Sequence, residues 1–510
     1  MSGIMLMMVG GKGGDAPANT VAPALSDSTP VYNQTISTTT GTWTSITTPS
    51  FAYQWQRNSG NISGATSSSY TITSTDVGTT VRCVVTATNP FGSDAANSNT
   101  SSTVAAIAPN APTIGTTTGG EEQASVAFTN LSFPTETGGA TITSYQAIST
   151  PGSVTGTASG TPISVTGLTG GTAYTFKVRA ANSVGYGSYS GNSNSITPTS
   201  PSLGLVTTNK TGDNVASDMI QRINIATTGN ATDFGNLLSA TYQSCMGASS
   251  TTRSVVASGY TSALTNVMQY STFSTSGNAT DFGDVTVKRI GGAGGGNATS
   301  GLFAGGQDQY STNRIDKITI ATTGNSTNFG ALQDQYVGAE MGMRFLAGTS
   351  SPTYSFWWGG QSGWDGGINY DIQRTTISSG GTTTYTGVSG STGNVYSTGM
   401  GSSTRGVCAY GSSNNENDFI NYVGYITHTT TGNAASFGQL TQKRLMSAGV
   451  SSTTRGIIAG GKFSANDPRG SNVMDYCTIS TTGNFTDFGD LVETVYQSYT
   501  GTSSDGGGQQ

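Results

Sequence analysis

Apolar and polar residues alternate with a period of two in three segments of this chain. The segments are MIQRINIATT from Met219, RIDKITIATT from Arg314 and VMDYCTISTT from Val473. Such alternation predicts a β-strand with one covered face, because successive side chains of a strand point to opposite sides. Each segment continues into a Gly-Asn pair, which supplies the positive φ angles that a tight turn needs.

The turn belongs to a longer motif that recurs along the chain. TTGNATDFG from Thr227 returns as TSGNATDFG from Thr275, TTGNSTNFG from Thr322, TTGNAASFG from Thr430 and TTGNFTDFG from Thr481, with a degraded copy, SSGGTTTYTG, from Ser378. A second mark, a short apolar strand ending in small residues, also occurs six times: LGLVTTNK, SVVASGY, GLFAGGQ, SFWWGGQ, GVCAYGS and GIIAGGK. A β-rich unit of about fifty residues predicts a propeller or another repeat array. We expect six blades of about four strands each, with the first and last strands of the array side by side.

These repeats cover residues 201–510. The strand that ends in Gly-Gly, with the Arg-Gly pairs at Arg405 and Arg455, resembles kelch-like β-propellers. The text TTGNATDFG followed by SSTTRG is similar to repeats in virion structural and tail-fibre-like proteins of marine bacteriophages, including cyanophages. This resemblance implies a particle protein, although propellers as such host many unrelated activities.

Residues 18–107 have a different pattern. They contain YQWQR from Tyr53, then Tyr70, then TDVGTTVRCVVTATN from Thr75. A Trp on a central strand, followed by Asp-x-Gly and a strand that carries Cys, resembles an immunoglobulin-like sandwich of the bacterial and phage type. No Cys precedes Cys83 in the chain, so we expect the intersheet disulfide of that family to be absent.

Residues 108–200 contain LTGGTAYTFKVRAANSVGYG from Leu168. This text resembles the tyrosine corner and the following strand of fibronectin type III domains, with Phe128 in place of their usual early Trp. The proline-bearing segments that flank it, with Pro109 and Pro112 on one side and Ile196–Ser202 on the other, are predicted to be linkers, because Pro cannot extend a ladder.

Residues 1–17 begin with MSGIMLMMVGGKGG. The apolar run is too short to cross a bilayer, and no basic residue precedes it as a signal peptide requires, so we expect neither membrane insertion nor export. For a virion protein, this segment is predicted to dock on another virion protein or to self-associate, and a disordered start is the alternative.

Composition narrows the function further. Charged residues make up 9% of the chain, whereas Gly contributes 73 of 510 residues. A polar, nearly uncharged surface is typical of extracellular β-rich fibres and adhesive modules. The net charge of −6 gives no electrostatic footprint for nucleic acid or for anionic membranes, so we expect neither partner.

Residues suited to catalysis or metal binding are sparse. The cysteines are predicted to be buried free thiols, and without CxxC or His pairs we expect no metal and no cofactor; they are Cys83, Cys245, Cys408 and Cys477. The one histidine, His428, is predicted to face solvent beside a turn. The repeated Asp of the DFG motif is expected to be structural; its copies are Asp233, Asp281 and Asp487. We therefore expect a non-enzymatic protein, with a carboxylate pair brought together by the fold as the open alternative.

One cluster of aromatic residues breaks the repeat. Trp357, Trp358 and Trp364 lie within eight residues of each other, at the start of the fourth repeat. Aromatic faces suit sugar rings and protein hot spots, so these three are the candidate binding residues. Alignment with the other repeats favours packing for Trp357 and Trp358, and a surface contact for Trp364.

Together these features predict an all-β chain: an immunoglobulin-like sandwich, a fibronectin type III sandwich and a six-bladed kelch-like β-propeller. The expected function is that of a non-enzymatic phage virion structural protein on the particle exterior, a tail-fibre or appendage adhesin. Its N-terminal region would bind other virion proteins, and its propeller would bind a host receptor or glycan. We expect a homo-oligomer, with a trimer as one option. The alternatives are a capsid decoration protein or head fibre, and, in a different class, a bacterial adhesin or a secreted glycan-active enzyme.

Overall fold

A computed structural model describes residues 14–208, 215–241, 245–308, 311–333, 342–362, 367–390, 394–413, 418–464, 470–498 and 500–504. All regular elements in these ranges are β-strands, as predicted for an all-β chain. Within the same ranges, no helix is long and apolar enough to cross a membrane. The chain divides into two compact units, Met1–Ser200 and Pro201–Gln510. The segment predicted to dock or self-associate, residues 1–17, lies mostly outside the described residues.

From residue 14 onward, where the structure describes it, the first unit contains fifteen strands. They are β1 (Ala18–Val21), β2 (Thr35–Ser37), β3 (Thr42–Thr44), β4 (Ser50–Arg57), β5 (Gly60–Asn61), β6 (Ser69–Thr71), β7 (Val81–Asn89), β8 (Gly92–Asn97), β9 (Thr113–Gly120), β10 (Gln123–Thr129), β11 (Ser144–Thr150), β12 (Thr155–Ala158), β13 (Ile163–Thr166), β14 (Thr175–Asn182) and β15 (Gly185–Tyr186).

The first half of this unit is built on a four-stranded sheet in the order β5-β4-β7-β8, with two-stranded sheets β1-β3 and β2-β6. Alternate residues of β4 and β7 face the core, and Trp55 lies directly opposite Cys83 across the two strands. Both side chains are fully buried, and the Cys83 thiol is free, as predicted. Asp76 of the Asp-x-Gly segment is also buried and accepts hydrogen bonds from Tyr70 Oη (2.7 Å) and Arg57 Nε (2.6 Å).

The second half contains a three-stranded sheet, β13-β10-β9, and a four-stranded sheet, β12-β11-β14-β15. Phe128 and Tyr145 meet in the core between them, with ring centroids 4.7 Å apart. The Tyr174 hydroxyl accepts a hydrogen bond from Thr169 N at 3.0 Å, the contact expected of a tyrosine corner. The linker prediction for Ile196–Ser202 is wrong in part, because Ile196 pairs with Tyr174.

The second unit contains the remaining strands. They are β16 (Leu203–Thr207), β17 (Ser217–Asn224), β18 (Thr232–Thr241), β19 (Met246–Ser249), β20 (Arg253–Tyr260), β21 (Leu264–Thr272), β22 (Thr280–Asp284), β23 (Ala293–Gly296), β24 (Ser300–Ala304), β25 (Arg314–Thr319), β26 (Thr327–Ala331), β27 (Met343–Arg344), β28 (Ala347–Ser350), β29 (Tyr354–Trp358), β30 (Gln361–Ser362), β31 (Asp371–Thr376), β32 (Gly381–Thr382), β33 (Thr384–Val388), β34 (Thr398–Gly401), β35 (Arg405–Ala409), β36 (Tyr422–Thr427), β37 (Ala435–Gln439), β38 (Ala448–Ser451), β39 (Arg455–Ala459), β40 (Ser471–Thr478), β41 (Thr486–Val495) and β42 (Gly501–Ser503).

Each repeat of the sequence forms the main part of one sheet, in which consecutive strands of the repeat pair antiparallel. The six sheets are β42-β16-β17-β18, β19-β20-β21-β22, β23-β24-β25-β26-β32, β28-β29-β31-β33, β34-β35-β36-β37 and β38-β39-β40-β41. The short strands β27 and β30 form a separate pair. Two of the six sheets take a strand from another repeat. In the third sheet β32 of the fourth repeat pairs with β26, and in the first sheet β42 pairs with β16 and places Ser503 opposite Gly204. The predicted pairing of the first and last strands is therefore observed.

The first strand of each sheet is short, buried and made of small residues. These strands are β19, β23, β28, β34, β38 and β42. Each one contacts the next in this order, and the last, β42, contacts the first, β19. The backbones approach so closely that a Cβ on Gly348 would collide with the carbonyl oxygen of Gly294. Glycine is needed there because it alone has no side chain.

The TGN turns tie each sheet to the preceding one. The Asn Oδ1 atom accepts a backbone hydrogen bond at 3.0 or 3.1 Å from the residue that follows the FG pair, or its equivalent, of the preceding repeat. The acceptor and donor residues are Asn278 and Asn236, Asn325 and Asp284, Asn433 and Val388, Asn484 and Gln439, and Asn230 and Asp490. The repeated motif thus encodes contacts between repeats.

The degraded copy from Ser378 makes a different junction between the third and fourth repeats. There β26 pairs in parallel with β32, and Gly330 lies opposite Gly381. Thr383 N also donates a hydrogen bond to Ala331 O at 2.9 Å. Direct strand pairing replaces the Asn contact at this junction.

Candidate functional site between the third and fourth repeats

Trp357 and Trp358 are core residues of the fourth sheet. Neither has exposed surface. Their side chains leave opposite faces of β29, because neighbouring residues of a strand alternate. Trp357 packs against the third repeat and Trp358 against the fifth. Their indole N–H groups donate to Thr375 Oγ1 (2.8 Å) and Thr349 Oγ1 (2.9 Å).

We therefore remove both residues from the candidate binding site, since a buried ring offers no face to a ligand. The two indole rings instead pack the fourth sheet against the third and fifth repeats. The third candidate, Trp364, lies outside the described residues, so its surface contact stays a prediction.

His428 does not face solvent, and that prediction is wrong. Its side chain is buried and stacks on the Phe356 ring, with the centroids 4.8 Å apart. Burial lowers the pKa of His428 to about 4, and its Nε2 atom has no hydrogen-bond partner among the described residues. The cause is its position in the repeat. His428 follows the last residue of β36, where the equivalent residues of the other repeats are Ile or Phe and are buried, for example Ile320 after β25.

The other candidates for chemistry do not converge. The DFG carboxylates are exposed on the outermost strands of three different sheets; they are Asp233, Asp281 and Asp487. All four cysteines are buried free thiols, as predicted. In the ranges that the structure describes, no three His, Cys, Asp or Glu residues lie close enough together to hold a metal ion.

A cation fills the space between sheets at three junctions of the second unit. Arg455, the first residue of β39 in the sixth repeat, donates from Nη1 to Ile225 O (3.0 Å) and Ala226 O (2.8 Å) of the first repeat. Its guanidinium also lies 4.7 Å from the centroid of Tyr476. Arg253 and Arg405 begin their own strands and make the matching contacts to the following repeats.

The third repeat has Ser300 at this position. Strand pairing fixes the equivalence, since Ser300 lies opposite Thr319 as Arg253 lies opposite Thr272. The remaining repeats carry large residues there, Leu203 and Tyr354. Because serine leaves the space unfilled, a pocket of about 280 Å³ opens between the third and fourth repeats.

We call this space the junction pocket. It is lined by Asn297, Thr299, Ser300, Lys317, Pro352, Thr353, Tyr354, Thr376, Ile377 and Ser378. The β23–β24 turn, the β28–β29 turn and the end of β31 with the residues after it contribute most of these side chains, and Lys317 reaches the pocket from β25. The pocket therefore opens beside the degraded TGN copy. The two places where the sequence departs from the repeat, Ser300 and the degraded motif from Ser378, thus both line the junction pocket.

Lys317 supplies the positive charge of the junction pocket. Its Nζ atom donates a hydrogen bond to Ile377 O at 2.8 Å and lies 4.4 Å from the centroid of the Phe329 ring. Lys317 therefore replaces the missing arginine as the link to the next repeat. Lys317 extends from β25, whereas the arginines of the other repeats extend from the strand equivalent to β24. The volume that an arginine side chain fills in those repeats is therefore open here.

Asn297 holds the rim of the pocket. Its Nδ2 atom donates to Pro352 O at 2.9 Å across the junction, and its Oδ1 atom accepts from Thr299 N at 3.1 Å and Ser300 N at 3.0 Å. The two turns that form the rim are thereby fixed to each other. Sequence reasoning missed this site, although an alignment of the six strand starts would have singled out Ser300.

Comparison with known proteins adds little to this geometry. The sequence matches no protein-family model and no curated protein. Among solved structures, the fold is similar to that of YjhT, with 12% identity and a TM-score of 0.39, over 52% of this chain and 92% of YjhT. It is also similar to the titin domains A168-A170, with 21% identity and a TM-score of 0.20, over 35% of this chain and 67% of theirs. Neither similarity carries a functional conclusion.

Proposed function

We propose that this chain is a non-enzymatic structural protein on the exterior of a bacteriophage virion, a tail-fibre or appendage adhesin. In this proposal residues 201–510 form a six-bladed kelch-like β-propeller that binds a host-surface receptor or glycan. Residues 18–107 and 108–200 form immunoglobulin-like and fibronectin type III domains that space the propeller from the particle. The N-terminal region binds other virion proteins, and several copies assemble into a homo-oligomer.

The cyclic order of contacts among the first strands of the sheets supports the propeller. Each of these strands contacts two others, and β42 contacts both β38 and β19. Hydrogen bonds join the ends of this order: Ser249 Oγ donates to Ser503 O at 2.9 Å, and Ser451 N donates to Ser503 Oγ at 2.8 Å. A ring closed in this way leaves only the short outermost strand of each sheet as an edge, which suits a protein displayed on a particle surface.

The break in the repeat carries the binding role. Five strand starts have a large residue that fills the junction, and the third has Ser300 beside an open pocket. The pocket combines hydroxyl groups, an amide, an aromatic ring and one cation, which are the groups that bind sugars through hydrogen bonds and apolar contact. Weak single-site binding is effective on a particle because many copies bind at once.

The virion assignment rests on the resemblance of the repeat text to phage fibre-like proteins. It is tested by mass spectrometry of purified virions, followed by labelling with an antibody against residues 201–510 and electron microscopy. We expect the label on tail appendages. Label on the head would favour a decoration protein or head fibre, and recovery from a host secretome without recovery from particles would refute the virion assignment.

The non-enzymatic assignment has its own test. The full chain is incubated with host-envelope polysaccharide, and the supernatant is analysed for oligosaccharides. We expect binding without cleavage. Released oligosaccharides would show that the protein degrades glycans and would refute this part of the proposal.

A further inference from the structure

We propose that the junction pocket binds a single sugar residue that carries a carboxylate, such as a uronic acid, with Lys317 as the partner of the carboxylate. This inference rests on the proposed function, since it takes the ligand to be part of a host-surface glycan. It adds the chemical class of the ligand and the residues that recognise it.

The charge of the pocket lining favours an anionic ligand. The ten lining residues include Lys317 and no Asp or Glu, in a chain whose net charge is −6. An ammonium group has three N–H donors. Ile377 O accepts one of them at 2.8 Å. Among the described residues no second group accepts a hydrogen bond from this ammonium, so the other two donors can bind a carboxylate. A hydrogen bond between two charged groups is about twice as strong as one between neutral groups.

The position of the ammonium is fixed before a ligand arrives. Phe329 holds it from one side at 4.4 Å, and the hydrogen bond to Ile377 O holds it from the fourth repeat. A long lysine side chain otherwise loses rotamer freedom when it binds, and this loss weakens affinity. The two contacts reduce that loss, so Lys317 is suited to recognition.

The remaining lining suits a sugar ring. Tyr354 is partly exposed at the pocket wall, and its ring can cover the C–H face of a pyranose. Five hydroxyl groups also line the pocket, and the oxygen of each can accept a hydrogen bond; they belong to Thr299, Ser300, Thr353, Thr376 and Ser378. The volume of about 280 Å³ lies just below the range typical of ligand pockets, so it fits one ring better than a chain of several.

Binding is measured on the full chain with two probes that differ only in the charged group. Methyl glucuronide carries the carboxylate, and methyl glucoside has a hydroxymethyl group in its place. Saturation-transfer NMR and titration calorimetry give the dissociation constants. We expect the glucuronide to bind at least tenfold more tightly at low salt, and the difference to shrink as salt rises, because salt screens partly exposed charges.

Substitutions locate the site. Ser300→Leu introduces the residue that the first repeat has at this position, so it fills the pocket without adding charge, and we expect it to abolish binding. Lys317→Gln is expected to weaken glucuronide binding at least tenfold and to leave glucoside binding unchanged. Lys317→Arg keeps the charge and should restore most of the affinity. Lys288→Gln removes a charge from an exposed lysine outside the pocket and serves as the control.

The melting temperature of each variant is measured first, so that loss of binding is read only from folded protein. Equal affinity for the two probes, or full affinity in Ser300→Leu, overturns the inference. Loss of affinity in Lys288→Gln as large as in Lys317→Gln overturns it as well.

Adsorption of the same variants to host-envelope polysaccharide separates this inference from the proposed function. If Ser300→Leu adsorbs as the unmodified chain does, the adhesin role stands and the pocket is not its site. If neither protein adsorbs while glucuronide still binds in the pocket, the site stands and the host-glycan role fails.

Discussion

Asn230 Oδ1 accepts a hydrogen bond from Asp490 N at 3.0 Å, which joins the first repeat to the sixth across 260 positions of the chain. The same contact joins consecutive repeats elsewhere in the second unit. The motif that marks each repeat in the sequence is therefore also the contact that links the first repeat to the last.

The glycine of the FG pair permits this close approach. A Cβ atom on Gly489 would lie 2.5 Å from Gly229 O, and Gly489 has a φ of 143°. We expect Gly489→Ala to lower the free energy of unfolding by about 1–3 kcal/mol through steric and backbone strain. Urea denaturation measures the loss. Gly483→Ala is the control, because a Cβ there meets no atom within 4 Å; an equal loss in both variants would contradict the explanation.

A buried ion pair joins Arg289, which precedes β23, to Asp316 of β25. Arg289 Nη2 and Asp316 Oδ2 are 2.8 Å apart, and neither side chain is exposed. Asp316→Asn leaves the guanidinium without a counter-charge, so we expect a loss of about 3–5 kcal/mol in unfolding free energy.

Two further variants test this explanation by urea denaturation. Replacement of both partners by apolar residues, Arg289→Met with Asp316→Leu, should recover most of the loss. Asp281→Asn, at an exposed position, should change stability by less than about 0.5 kcal/mol. If the double variant is no more stable than Asp316→Asn, the uncompensated charge is not the cause.

His428 makes stability depend on pH. Burial lowers its folded-state pKa from 6.5 to about 4, so the unfolded chain binds more protons between these values. The contribution of His428 is therefore constant above the unfolded pKa, and stability falls as the pH drops from 6.5 towards 4, by about 3 kcal/mol in total. Unfolding free energies from urea titrations at pH 7.5 and pH 4.5 measure this loss.

The matched variant for this prediction is His428→Ile, which introduces the residue that most other repeats have at the position. It should lose less stability on acidification than the unmodified chain, because the titrating group is gone. The same acid sensitivity in both proteins would assign the effect to other groups.

The buried cysteines are expected to be unreactive. Burial raises the pKa of Cys83 to about 11 and that of Cys477 to about 12, so neither thiol ionises near neutral pH. An aromatic disulfide reagent should label no cysteine in the native protein and all four in guanidinium. Ser68→Cys adds an exposed thiol and should react at once. Rapid labelling of the unmodified native chain would contradict the burial.

The strands and turns of the second unit could largely be predicted from the sequence, because the same motif marks the same turn in each repeat. Six copies of the motif gave six sheets, and the match between the segments near Met246 and Gly501 gave the pairing of β42 with β16. The ion pair between Arg289 and Asp316 could not be predicted from the sequence, because a spacing of 27 residues does not indicate a contact.

The candidate site shows the same limit. Three tryptophans are candidate binding residues in the sequence, and the alignment of the repeats already favours packing for Trp357 and Trp358. Both are buried, although the sequence does not show which neighbouring sheet each one contacts. The junction pocket arises at Ser300, which an alignment of the six strand starts singles out, but only the structure shows that no other side chain fills the space. His428 was misjudged because its neighbours are polar, whereas its register in the repeat decides its burial.

The pairing of β42 with β16 also has a consequence for synthesis of the protein. β16 begins at Leu203, but its partner is not translated until Gly501–Ser503, almost three hundred residues later. Until then the nascent chain exposes an unpaired edge that can aggregate or be bound by chaperones. A chain that ends before Gly501 therefore lacks the partner of β16, and this edge stays unpaired.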